Sequence, residues 1–269
     1  MTAYEDFTSV LARKDGAVLT VSLNRPAQRN AINADVHESL RRIFALAAAD
    51  ADVRAIVLRG EGKAFCAGGD VNTMEGAGDG PGPSAALTVR STLEAADMVE
   101  LLLAVPQPIV CAVQGYAMGL GATIALLCDV VVIAEDAQIA DTHVNIGLVA
   151  GDGGAVIWPL LAPLGAVKWY LMTGERISGV EAVRLGLALK AAPAAELDTE
   201  AQALAQRLAQ AAPLAVRGTK ETLNRIIRER VNLVLQTGLL LEGATMVSED
   251  HREAAGAFLA KRSPSFRGR

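Results

Sequence analysis

Apolar and polar positions alternate along the start of the chain and then change period. Phe7–Arg13 and Ala17–Leu23 follow a two-residue period, which predicts a hairpin turned at Asp15-Gly16. A polar loop, NRPAQRNAIN, leads into Ala34–Ala49, where Ile43, Phe44 and Leu46 fall on one apolar helical side. Val53–Arg59 predicts a strand, Gly60–Lys63 a turn into AFCAGGDV, and Asp79–Pro83 (DGPGP) an irregular loop. Leu87–Leu103 is helical by period and is stopped by Pro106 and Pro108. A β-branched run to Val113 then opens into the glycine-rich stretch QGYAMGLGATIALLCD, Gln114–Asp129. Strands at Val130–Ile133 and Gln138–Ala140 precede a second glycine turn and helix in GLVAGDGGAVIWPLL. Beyond about Ala195 the texture becomes helical: Leu197–Ala211, Pro213–Arg230, Asn232–Val247 and Glu249–Lys261, followed by the basic tail RSPSFRGR.

The recurrence of strand, turn and helix predicts an α/β core over residues 1–195 and a helical subdomain over 196–269. With 269 residues, about half of them hydrophobic (51%), the chain has enough material for a full core without disulfide or metal support. Its net charge of -5, with no long basic block, argues against non-specific nucleic-acid binding. Cys66, Cys111 and Cys128 lack CxxC spacing and read as buried thiols of a reducing compartment. MTAYEDFTSV has neither the apolar segment of a signal peptide nor the Arg-rich pattern of a transit sequence. The apolar run Ile124–Ala134 is interrupted by Asp129 and too short for a bilayer. The expectation is a cytoplasmic protein with no membrane partner. His37, His143 and His251 are not in ligand spacing with one another or with the cysteines, so no metal site is expected.

Two loops carry the candidate chemistry. AFCAGGDV and GYAMGLGAT each follow a predicted strand, and each presents small-residue backbone N–H groups of the kind that build an oxyanion hole. Six motifs then run in order: LNRPAQRNAIN, KAFCAGGDV, PIVCAVQGYAMGLGATIALLCD, IGLVAGDGG, LMTGERISGVEAVRLGL and DHREAAGAFLAKRSPSF. In these the chain resembles the crotonase superfamily, the enoyl-CoA hydratase/isomerase family, over nearly its whole length.

The resemblance implies a crotonase (ClpP-like) spiral of ββα units with a C-terminal helical trimerisation subdomain, assembled as a homotrimer or dimer of trimers. It implies an acyl-CoA thioester as substrate, coenzyme A entering as part of that substrate and not as a separate cofactor. Carried over residue by residue, the oxyanion donors are the backbone N–H groups of Gly69 and Leu120. Arg29 and the Lys63–Ala67 stretch, with Lys63, Ala64 and Ala67, match the surface along the CoA nucleotide. Phe258 and Lys261 match a helix that reaches a neighbouring subunit's adenine.

Both glutamates usual in such hydratases are absent. Thr123 stands at the first position and His143 at the second. An imidazole titrates near neutrality, and Asp152 in the AGDGG turn is placed to fix its tautomer and stabilise the imidazolium, so a His143–Asp152 pair is the expected replacement, with Thr123 positioning water or taking no part. Asp70, Asp141 and Glu75 are further acids near the site in sequence, and Glu242 is one in the C-terminal helices. Trp158 and Trp169 read as packing residues. The alternatives are a CoA-independent β-diketone C–C hydrolase of the same superfamily, whose histidine before a glycine turn is similar, and a catalytically silent acyl-CoA-binding paralogue.

Overall fold

The computed structural model describes Tyr4, residues 7–70 and residues 84–269, apart from the side chains at 258 and 259. The expected loop at Asp79–Pro83, Glu75 and the side chain of Phe258 therefore lie outside the described residues.

The first hairpin forms from β1 (Val10–Asp15) and β2 (Val18–Leu23), antiparallel about a turn in which Gly16 has φ 56°. α1 (Ala34–Ala49) starts where Asn33 Oδ1 accepts the Val36 N–H at 3.0 Å, a cap worth about 0.5–2 kcal/mol. Its Val36, Leu40, Ile43, Phe44 and Ala47 recur at helical spacing and are buried. β3 (Ala55–Gly60), β4 (Ile109–Val113), β6 (Val130–Ala134) and β9 (Lys190–Ala192) add in parallel to β2, giving the order β1-β2-β3-β4-β6-β9. β4 is buried along its whole length, which is why its sequence is continuously apolar and not alternating.

A second sheet joins β5 (Tyr116–Met118) in parallel with β7 (Gln138–Ala140), and β7 antiparallel with β8 (Ile177–Ser178). The chain thus passes from β4 in one sheet to β5 in the other, through α3 (Leu120–Leu127), and back to β6 and β7. That repeat is the ββα spiral. α2 (Ala85–Ala104) packs on α1 and α3, while α4 (Gly154–Leu161) and α5 (Leu164–Thr173) lie between β7 and β8 in the chain and α6 (Gly179–Leu185) follows β8.

α7 (Leu197–Gln210) lies on β2, β3, β4 and β6 through Leu197, Ala201, Ala205 and Ala209. The expected division at 195/196 therefore separates elements by order along the chain, while α7 covers the sheet of the core. α8 (Pro213–Arg230) does not end before Asn232 as the sequence suggests. A π turn over Val231–Leu235 carries it directly into α9 (Gln236–Met246), because Val231 and Leu235 are both buried and no residue there breaks the helix. α10 (Glu249–Leu259) folds back on α9 and on the turn after β7. Among the described residues no single helix is long and apolar enough to cross a membrane.

One buried ion pair fastens α8 to the core. Lys220 Nζ lies 2.6 Å from Asp129 Oδ2 and 2.9 Å from the Gln107 carbonyl, and the same Asp129 oxygen accepts the Ile109 N–H at 2.7 Å. Lys220→Met is expected to lower the free energy of unfolding by about 3 kcal/mol. That is the low end for a broken buried pair, since the Asp129 side chain keeps 22% exposure and some hydration. A urea titration reads the loss as a lower midpoint, and an unchanged midpoint would show that the pair does not support the fold.

Candidate active site

β3 and β4 run side by side and each ends in a loop, so the two loops meet. Phe65 N–H donates to the Gln114 carbonyl at 2.8 Å, Cys66 N–H to Tyr116 at 2.9 Å, and Met118 N–H to Cys66 at 3.0 Å. α3 comes down directly on this seam. A Cβ on Gly121 would lie 2.7 Å from the Cys66 carbonyl oxygen and 2.9 Å from its sulfur, so only glycine permits the approach. Gly119 has φ 51° and ψ −122°, a conformation that turns the chain into α3 with Leu120 as its first helical residue.

That turn decides where the amides point. Gly119 N–H is taken by the Ala140 carbonyl, whereas Leu120 N–H stands among the groups a helix start leaves without an intrahelical acceptor. On the other loop, Ile32 N–H donates to Gly68 and Asp70 N–H to Ile32, which directs the intervening Gly69 N–H away from Ile32. Gly69 is exposed and Leu120 partly so, and a Cβ on Gly68 would sit 3.8 Å from Leu120 N. The two expected donors belong to adjoining, reachable loops.

The residues expected along a nucleotide also come together. Arg29 adopts a left-handed conformation (φ 51°), and its carbonyl accepts the Ala67 N–H at 3.0 Å. Buried Asn30 ties the same loop to the next, its Nδ2 donating to the carbonyls of Glu61 (2.9 Å) and Ala64 (2.7 Å). Arg29 and Lys63 are exposed on this rim, Ala67 is half-buried and Ala64 buried. Asp70, buried, pairs with Arg25 at 2.8 Å and holds the loop in place. Lys261 is exposed beyond the end of α10. Trp158 is in the core, but Trp169 is 57% exposed and donates to Glu175, which corrects its reading as a packing residue: its indole N–H is satisfied at the surface.

Beside the glycine turn lies a chain of polar groups drawn from four elements. Thr123 Oγ1, on α3, donates to Asp152 Oδ1 at 3.1 Å. Asp152 Oδ2, in the turn before α4, stands 3.2 Å from His143 Nε2. His143 opens a 3-10 turn (His143–Ile146), and its Nδ1 lies 2.6 Å from Asp141 Oδ1 at the end of β7. Thr123, Asp141 and Asp152 are buried, whereas the His143 side chain keeps 11% exposure. A Cβ on Gly119 would sit 3.4 Å from His143 Cε1, so the ring borders the turn that presents Leu120.

Burial alone would drive this imidazole neutral. The charges of Asp152 and Asp141, with their hydrogen bonds, outweigh it and hold His143 well above its ordinary range. For Asp152, burial pushes upward, but the His143 charge and bonds from His143, Thr123 and the Gly154 N–H bring its carboxyl below the usual range. The orientation of the ring is therefore not set by Asp152 alone. Asp141 takes Nδ1, Asp152 takes Nε2, and the ring is an imidazolium bonded on both sides. Asp141, Asp152 and His143 also bring donor atoms within 4.8 Å of one another, a cluster that the histidine spacing did not disclose. As they stand, the three side chains form an ion triad about the His143 ring. The i, i+2 spacing of Asp141 and His143 after a short strand is the sequence signal that could have singled out Asp141.

A further acid completes the surroundings. Glu242 of α9 is only 4% exposed, and its Oε2 has no hydrogen-bond partner among the described residues. Burial, helped by the Asp152 and Asp141 charges against the opposing His143, pushes its carboxyl up to about 8.

Comparison with known proteins agrees with this architecture. The family model described as enoyl-CoA hydratase/isomerase matches residues 13–269. A 1,2-epoxyphenylacetyl-CoA isomerase from Escherichia coli is 30% identical over 260 residues, covering 97% of this chain and 98% of the relative. A carnitinyl-CoA dehydratase from Proteus mirabilis is 33% identical over 259 residues, covering 94% and 96%. The crystal structure of an enoyl-CoA hydratase/isomerase from Mycobacterium paratuberculosis superposes with a TM-score of 0.85 at 37% identity, covering 93% of this chain and 98% of that one. The chain belongs to the enoyl-CoA hydratase/isomerase family and has the crotonase fold. It is an enzyme of the hydratase/isomerase type.

Proposed function

We propose that this enzyme acts on an acyl-CoA thioester through an enolate-type intermediate, using the His143–Asp152 pair where relatives use two glutamates. The observation that carries the reading is the doubly paired His143 imidazolium set against the Gly119–Leu120 turn. In the hydration direction, water gives a proton to Asp152 and its oxygen bonds to the β-carbon. The displaced electron pair moves onto the thioester oxygen, which Gly69 and Leu120 N–H stabilise. His143 then delivers a proton to the α-carbon as the enolate collapses. The proton on Asp152 passes to His143 and restores the starting state. Thr123 holds the second Asp152 oxygen and fixes the carboxylate plane.

Arg29 and Lys63 supply positive charge for the nucleotide phosphates at the rim, with no separate cofactor. The protein works as a homotrimer or dimer of trimers, supported by the apolar side chains left exposed on α8 and α9, among them Leu214, Leu223 and Leu240.

Calorimetry with CoA and acyl-CoA, followed by turnover of an enoyl-CoA panel, tests the reading. Binding with turnover supports it. Absence of CoA binding overturns it and favours the C–C hydrolase, for which the His143–Asp152 contact is also suited. Binding without turnover marks a silent binder.

A further inference from the structure

α9 approaches the turn before α4 more closely than side chains normally permit. A Cβ on Gly151 would lie 2.4 Å from the Gly238 carbonyl oxygen and 2.6 Å from Glu242 Oε2, and one on Gly238 would lie 3.1 Å from Gly151 Cα. Gly238 and Glu242 are four residues apart and so share one face of the helix. Two facing glycines thus bring the helix onto the turn, and the next helical position sets a carboxyl over Gly151, beside Asp152. Nothing in the proposed reaction uses that carboxyl, although leaving a polar oxygen buried and unbonded is costly.

We propose that Glu242 is a positioning residue of this site, a buried acid beside Asp152 that sets how much negative charge surrounds the Asp141–His143–Asp152 triad and thereby how readily the site accepts an enolate. With Glu242 neutral, two carboxylates face one imidazolium. Its ionisation, the loss of one proton to solvent, adds another negative charge beside Asp152, where it opposes charge developing on the substrate. The titratable groups acting on it are Asp152, His143 and Asp141. α2 brings the methyl groups of Thr88 and Thr92 to the neighbouring Gly243, and α10 brings His251, whose Nδ1 is bonded to the Ile146 carbonyl.

The sign follows from the raised carboxyl. An acid near 8 is neutral at pH 7 and ionises as the medium becomes alkaline. The test is NMR on the intact protein, following the His143 Cε1–H signal and the Glu242 carboxyl carbon from pH 5 to 10. The expected result is a shared titration step with a midpoint near pH 8, and loss of that step from His143 in Glu242→Gln. A Glu242 carbon that titrates in the ordinary glutamate range, or a His143 step unchanged in the glutamine variant, overturns the proposal. The carboxyl measurement is made on the unaltered chain, so a variant that fails to fold leaves the test intact.

The catalytic consequence rests on the acyl-CoA reading. The alkaline limb of the rate profile is expected to move to higher pH in Glu242→Gln, and a limb that stays in place counts against the proposal. Absence of any acyl-CoA turnover would overturn the reaction assignment while the NMR titration still decides the role of Glu242.

Discussion

Leu120→Pro is expected to lower kcat for acyl-CoA turnover by about 10²–10³-fold while leaving the protein folded. The proposed donor at this position is a backbone amide, which ordinary side-chain substitutions do not remove. Proline removes it, and Leu120 is a site where proline fits: as the first residue of α3 its N–H is not needed by the helix, and proline is favoured there. Gly119, with ψ −122°, lies outside the helical region that a following proline disfavours. Loss of rate with a normal unfolding midpoint is the signature of a missing oxyanion donor. A folded Leu120→Pro protein with full activity would remove Leu120 from the mechanism.

His143→Ala is expected to cost about 10²–10⁴-fold in kcat, the range for a positioned acid–base group. Stability changes with it, because the variant leaves Asp141 and Asp152 buried without their cation. Such a loss is about 3–5 kcal/mol for a well-buried pair. The pH dependence separates the two effects. The wild-type His143 value is raised on folding, so its contribution is fully present below about pH 6.5 and is lost as pH rises through the higher folded value. The Asp152 value is lowered, so its contribution is present above about pH 3.8 and is lost as pH falls through the lower folded value. Denaturant titrations across pH should show both limbs in the wild type and neither in full in the variant. Retention of the wild-type hydratase rate by folded His143→Ala would overturn the assignment.

The elements legible in the sequence were those whose signals are local. α1 was readable because Asn33 caps it and its apolar stripe is continuous, and β4 because its run is β-branched and bounded by prolines and glycine. Three-residue β5 was not readable: it lies between glycines, and its pairing with β7 is a tertiary event. The continuity of α8 through the π turn into α9 was hidden for a similar reason, since burial of Val231 and Leu235 decides it.

The site divides in the same way. The glycine loops and the pair His143–Asp152 follow from motifs, and the Asp141 bond to Nδ1 spans only two residues, whereas the position of Glu242 beside Gly151 joins elements far apart in the chain. A carboxyl raised by burial has no signature in a sequence, because its cause is the absence of water.

The amide origin of the proposed oxyanion donors also shapes what substitution can change in this protein. Every residue but proline carries the same N–H, so random substitution at Gly69 or Leu120 rarely erases the donor itself. Side chains such as Thr123 and His143 enjoy no such protection. On the proposed mechanism, substitution therefore spares the electrophilic half of the machinery more than the proton-moving half.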